Sequence, residues 1–319
     1  MPEAVVSSRL HESSRPGAAD RASAEASGDS FGVEFVKPAT FLERARKHRI
    51  FVFSSVMLAL IIAAAIFAPL IAPHDPYLQD LSGRMTPPVF YEGGSWDHIL
   101  GKDGLGRDYL SRIIYGTRIS LLIGCIATAV SCLIGVSLGV AAGYFGGRVD
   151  MAVSFLLMIR LTLPVLLVLL ATAAVVRGSV TGVVLIMGCL LWDQFAVIAR
   201  STTQQIRAAD YVRSARALGC SQWQIIRADI VPNILNPIIV VITFEIASAI
   251  LLESSLSFLG LGVQPPFASW GLMIAEAKDS LFFQPWLIAF PGAALFVLCL
   301  GINLFGDGLR DLAGGQGRV

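Results

Sequence analysis

Charge is what this sequence is short of. Only 15% of its 319 residues are charged, against 55% hydrophobic, and the mean hydropathy is +0.70. A soluble domain of that length carries more charge. The charges that exist nearly cancel, to a formal +1, so bulk charge gives no sign of a nucleic-acid partner. The five cysteines, at 125, 132, 189, 220 and 299, include no Cys-x-x-Cys pair and mostly lie in apolar runs. They read as small buried residues, not as a disulfide framework or a metal site. A phosphate loop is also missing. Gly101-Lys102 has neither the upstream glycine nor the following Ser/Thr that such a loop needs. Gly104-x-Gly106 is not a dinucleotide fingerprint, because position 109 is Tyr, and the acids around it lack calcium-loop spacing. No catalytic residues, no metal ligands and no cofactor of its own are read for this chain.

What the sequence has is long apolar runs. Residues 1–40 are rich in Ser, Ala, Gly and charge and read as a disordered cytoplasmic tail. Arg44, Arg46, Lys47, His48 and Arg49 then abut Ile50 to Ala72, which carries no charge. About 20 apolar residues span a bilayer core. A signal peptide starts nearer the chain's beginning and has a shorter apolar core, so a retained first membrane helix is the better reading. The second run is Ile119 to Gly147, where Gly135, Gly139 and Gly143 recur every fourth residue and predict a close helix–helix contact. The third is Met151 to Val176, kinked at Pro164 and holding Arg160, whose expected place is a snorkelling position near the cytoplasmic face. The fourth is Gly178 to Ala199, with Asp193 near its inner end and Arg200 closing it. The fifth opens near Pro232 and runs past Leu252, with Glu245 and Glu253 inside it. Carboxylates in a membrane are costly and face a cavity or a partner. The sixth is Ser280 to Gly306. The expected fold is therefore an all-α polytopic membrane protein with six transmembrane helices. It divides into a tail (1–40), a first helix with an extracytoplasmic loop (41–117), a core (118–311) and a Gly-rich tail (312–319).

Between the fourth and fifth runs lies a polar stretch, residues 200–231, that fits a helix–turn–helix elbow. Asp210 is placed to cap a short helix, and Tyr211, Ala215 and Leu218 to form its apolar face, with Arg213 and Arg216 off that face. Gly219 is the expected left-handed C-cap. Ser221 and Gln224 form a capping box for a second short helix, which Pro232 either stops or follows as the opening of the next span.

This elbow resembles the cytoplasmic coupling loop, the EAA loop, of ABC-importer permeases. Gly219 and Pro232 stand in place, Arg213-Ser214-Ala215 occupies the Glu-Ala-Ala position, and Val231 replaces Leu. Two further strings resemble the dipeptide/oligopeptide/nickel branch, and the first of them its C-type subunit. One is His98-Ile99-Leu100-Gly101-Lys102-Asp103 followed by Gly106-Arg107-Asp108, with Lys102 where Thr is usual. The other runs from Glu253 through Ser257 and Gly260 to Gln264-Pro265-Pro266. Glu253 matches a position of that pattern and Glu245 does not. A role in helix packing and a role in the pathway stand side by side for Glu253.

The resemblance implies the transmembrane domain of a type I ABC importer in a bacterial inner membrane, with both termini cytoplasmic. The implied partners are a B-type permease subunit, two ATPase subunits that bind ATP and Mg, and an extracytoplasmic solute-binding protein, in membrane lipid and without nucleic acid. The implied function is to form half of the translocation pathway, coupled to the ATPases through Asp210, Tyr211, Arg213, Ala215, Arg216, Gly219 and Pro232. Di- and oligopeptides are the expected cargo; nickel chelates, glutathione or oligosaccharides are the alternative. A secondary transporter is the alternative of another class. It would show two similar halves with matching broken helices, and no such symmetry is visible.

Overall fold

The computed structural model describes residues 45–46, 48–176 and 179–314. The expected N-terminal tail, Arg44 and Lys47 of the basic cluster, Arg177, Gly178 and residues 315–319 lie outside the described residues. The described chain is helical, and among the described residues β-pairing is limited to the isolated bridge between Lys102 and Asp108.

The first span is α1 (Arg49–Ile66), capped by His48, whose Nδ1 accepts from the Phe51 amide. Pro69 sits in the first turn of α2 (Ala68–Ile71), a one-turn remnant of the expected longer helix. A loop with a short 3-10 turn leads to Asp108. The Asp108 side chain caps α3 (Tyr109–Phe145) by accepting from the Ser111 amide. At 37 residues, α3 extends about 55 Å, well beyond the roughly 30 Å bilayer core. Its first turns therefore project into the loop region.

The third run departs from expectation. It forms α4 (Gly147–Thr162) and α5 (Val165–Val176), bent by 88°. Pro164 has no amide to donate, and its ring drives Leu163 to an extended backbone (φ −87, ψ 127). The helix thus breaks where a kink was expected. Five other helical stretches among the described residues are long and apolar enough to cross a membrane, and the bent pair makes up to six.

The fourth run is α6 (Val180–Leu190) and α7 (Asp193–Arg207), interrupted at Leu191–Trp192. It continues past Arg200, which does not close it. Arg200 instead grips Asp150 of α4 with two hydrogen bonds, the Nη2–Oδ2 one at 2.9 Å. The fifth helix also starts early. After α8 (Asp210–Ala217), α9 (Gln222–Ile225) passes through a π-turn (Ile226–Ile230) into α10 (Val231–Phe258). Pro232 directly follows the π-turn in the first turn of α10, so it does not stop the second short helix, which runs on through it. Then follow α11 (Trp270–Ala277) and α12 (Trp286–Gly314).

The most extensive helix packing is α3 on α7, and the glycine ladder lines it. A Cβ on Gly135 would lie 2.6 Å from Phe195 Cβ, one on Gly139 2.7 Å from Ala199 Cβ, and one on Gly143 2.7 Å from Thr203 Cβ. Those separations are shorter than carbon contacts allow, so only glycine lets the two backbones approach this closely. Away from such seams the helices expose large apolar side chains, among them Phe53, Leu60, Leu133, Met151 and Phe155. That is a surface suited to lipid or to other apolar helices.

Candidate functional site: the elbow and the charges in the bundle

The elbow between α7 and α10 is locally over-determined. α8 ends at Leu218, and Gly219 follows in the left-handed region (φ +84). Its amide donates to the Arg216 carbonyl, and the Cys220 amide reaches back to the Ala215 carbonyl, both at 3.1 Å. Those paired bonds form a Schellman cap, which satisfies carbonyls that the helix end would leave open. The Ser221 hydroxyl then accepts from the Gln224 amide at 3.3 Å and starts α9. The elbow is held down by Val212, fully buried among Tyr144, Phe195, Ile225, Ile226 and Ile230, with Ala215 and Cys220 packed beside it.

Two sequence expectations change here. The α8 cap is Ala209, which makes no side-chain cap bond; Asp210 lies inside the first turn, fully exposed, with Arg213 3.7 Å away. A carboxylate there still favours the positive helix end. The apolar face is also displaced by one residue. Val212 and Ala215 point inward, whereas Tyr211 is half-exposed and Leu218 is 85% exposed. In a helix of eight residues, two overlapping apolar stripes fit the sequence about equally, and the core beneath α8 selects between them. The outcome is an outward surface that mixes aromatic and aliphatic groups (Tyr211, Leu218, Trp223) with cations (Arg213, Arg216). The Arg216 guanidinium also lies 5.8 Å from the centre of the Tyr144 ring, a cation–π distance that ties α8 to α3.

Glu253 is fully buried. Its carboxylate accepts from the Ser257 hydroxyl at 2.6 Å, with the hydroxyls of Ser254 and Ser269 also facing it. Ser257 Oγ in turn accepts from the Val263 amide. Glu253 thus joins the end of α10 to the turn that leads into α11. Glu253→Gln, which keeps an acceptor oxygen, should assemble and transport at near wild-type level, while Glu253→Leu should fail to assemble because it orphans buried hydroxyls. Normal assembly of Glu253→Gln with lost uptake would move the residue into the pathway.

Arg160 does not snorkel. It donates through Nε to the Leu190 carbonyl at the end of α6, and its Nη2 lies 3.5 Å from Asp193 Oδ1 at the start of α7. Sequence gave no hint of this, because the partner is the break between α6 and α7. The charges that face Glu245 are Asp193 and Arg160. The acid without a match in the family pattern therefore belongs to a mixed-charge cluster inside the bundle.

On the side of the bundle where α3 begins, Asp103 binds Arg107 (Nε–Oδ2 2.6 Å) and Arg112, and Glu276 of α11 receives Arg107 at 2.9 Å and Arg112 at 3.0 Å. Burial raises the Asp103 pKa, but the Arg112 and Arg107 guanidiniums outweigh it and hold the carboxyl below its usual range. The Gly-Arg-Asp signature thus closes the loop over α11.

This architecture is that of known transporters. The structure matches the MetNI methionine ABC transporter in two crystal forms of inward-facing conformations. The TM-scores are 0.53 and 0.52, each at 14% identity, covering 63% and 64% of this chain and 96% and 97% of those chains. At that identity the likeness defines the fold alone, that of the membrane subunit of a type I ABC importer. The chain belongs to the family of binding-protein-dependent transport system inner membrane components, which matches residues 135–313. The N-terminal transmembrane domain of oligopeptide transport permease C matches residues 39–88. Among curated proteins, the "Probable D,D-dipeptide transport system permease protein DdpC" of Escherichia coli K12 is 38% identical over 83% of this chain and 88% of that one. The dipeptide permease DppC of Haemophilus influenzae is 38% identical over 80% and 87%. The glutathione permease GsiD of Pectobacterium atrosepticum is 35% identical over 85% and 88%. The protein is thus a multi-pass membrane transport component and not an enzyme. Importers of this family work with ATPase and binding-protein partners.

Proposed function

We propose that this chain forms half of the translocation pathway for di- and oligopeptides and pairs with a B-type permease subunit. The elbow at 208–231 seats on an ATPase subunit, which binds the ATP and Mg. Both chain termini are on the cytoplasmic side, and the loop that precedes α3 faces the solute-binding protein. The observation that carries the coupling role is the anchoring of α8 through Val212, which leaves Tyr211, Leu218, Arg213 and Arg216 outward on a rigidly capped turn. A motion imposed on that surface passes into α7 and α10 without being absorbed by a flexible loop. The peptide cargo is supported by identity to dipeptide permeases over most of both chains. A glutathione permease at similar identity keeps a γ-linked peptide as the alternative.

The test is reconstitution of the complex assembled from the neighbouring subunits, with uptake of labelled dipeptide competed by unlabelled glutathione. Dipeptide uptake that requires ATP supports the reading. Uptake competed only by glutathione shifts the cargo to the alternative. ATP hydrolysis by this chain alone, free of contaminating ATPase, would overturn the division of labour.

A further inference from the structure

Three side chains with no role in the elbow or the charged bundle meet at the start of α3. His74 comes from the segment after α2, His98 from the loop, and Asp108 is the α3 cap. Their potential ligand atoms all lie within 4.8 Å of one another. Asp108 divides its work. Its Oδ2 accepts from the Ser111 amide at 2.8 Å, while Oδ1 is the atom both imidazoles face, His98 Nδ1 at 2.8 Å and His74 Nδ1 at 3.8 Å. The two rings stand 4.5 Å apart, tilted by 37°.

We infer that His74, His98 and Asp108 form a zinc-type metal site that fastens the loop before α3 to the α3 N-terminus. The donor set is two imidazole nitrogens and one carboxylate oxygen, which suits zinc and its transition-metal neighbours. Calcium and magnesium prefer an all-oxygen shell. With metal–ligand distances of about 2.0–2.2 Å, tetrahedral ligand atoms sit about 3.3 Å apart. His98 Nδ1 and Asp108 Oδ1, hydrogen-bonded at 2.8 Å, would part slightly as an ion enters, and His74 Nδ1, at 3.8 Å, would move in. Backbone contacts hold two of the ligands in place. The His74 amide donates to Ser111 Oγ at 3.1 Å, and the His98 carbonyl accepts from the Gly101 amide at 2.8 Å. The Ser111 amide on Asp108 Oδ2 is an outer partner of the kind that orients a metal-binding carboxylate. A helix N-terminus repels a cation. The Asp108 carboxylate, which caps α3, offsets this. His74 is 40% exposed, which leaves a path for the ion and a position for water. Spacing does not reveal the site, because His74 lies well ahead of the string that holds His98 and Asp108.

The test uses the full chain purified with a tag that contains no histidine, stripped by chelator and titrated with zinc chloride. Wild type should retain about one zinc per chain after gel filtration and unfold at a higher temperature with zinc than without. Cobalt should give the visible absorption of a nitrogen–oxygen site. His74→Ala removes a ligand that caps no helix and leaves the His74 amide's bond to Ser111 in place. It should fold normally, bind zinc at least about tenfold more weakly and lose the thermal shift. His48→Ala, in the α1 cap, should keep both. Equal zinc retention by wild type and His74→Ala, or retention by neither, overturns the site.

Discussion

A Gly219→Val chain should insert and pair with its permease partner, while ATPase co-purification and peptide uptake fall to background. The reason is confined to the backbone. Gly219 sits at φ +84, and a Cβ added there meets nothing within 4 Å, so no clash contributes. What remains is the left-handed conformation, which costs a residue with a side chain about 1–2 kcal/mol and a β-branched residue the most. α8 has only eight residues, below the length at which a helix holds itself in water. Without the Schellman bonds from Gly219 and Cys220, its last carbonyls open to solvent. The membrane-spanning helices gain nothing from that turn, so insertion and pairing are spared. Gly219→Ala should be milder, and Gly219→Asn milder still, because Asn enters the left-handed region readily. Co-purification and uptake measured on all three variants give the order. Full uptake by the valine variant would remove the elbow from the coupling mechanism.

The features legible in the sequence are those whose cause is local. Asp108 and Ser221 cap the helices they precede, Gly219 takes the positive φ that a helix end requires, and three glycines at four-residue spacing line one face of α3. Apolar length located the spans but not all their ends: α3 starts well before Ile119, and α7 and α12 run on past Ala199 and Gly306. The misjudged features depend on a distant partner. Pro164 was legible as a disturbance, but how far the helix turns there depends on what the second arm packs against, and it turns 88°. Tyr211 was placed inward because its spacing to Ala215 and Leu218 is helical. The pocket under α8 is built from α3, α7 and α9, and Val212 is the side chain that fits it. His98 and Asp108 share one sequence string, but His74 lies outside it, and the loop's folding alone brings it to them. Arg160 is the clearest case, since its partners lie about 30 residues onward at a helix break that composition does not reveal.

That position supports the other large expected effect. Arg160→Leu should sharply lower the yield of monodisperse protein and its unfolding temperature in detergent. The guanidinium neutralises the carbonyl end of α6 through Leu190, and it holds Asp193, whose carboxylate in turn sits on the positive end of α7. Glu245 faces the same pair from α10. Among the described residues, one cation thus answers two acids inside the bundle. Removing it leaves Asp193 and the Leu190 carbonyl without their partner, and breaking one side of a buried pair costs about 3–5 kcal/mol. Arg160→Lys keeps the charge but not the fork that reaches carbonyl and carboxylate together, so it should rescue only in part. The decisive variant is Arg160→Leu with Asp193→Asn. If the arginine is there for the acid, the second change should return much of the lost stability, and the two should be non-additive by 1 kcal/mol or more. An arginine that merely reaches for the membrane surface predicts the opposite: Arg160→Leu near wild type in yield and unfolding temperature, and additive effects in the double variant.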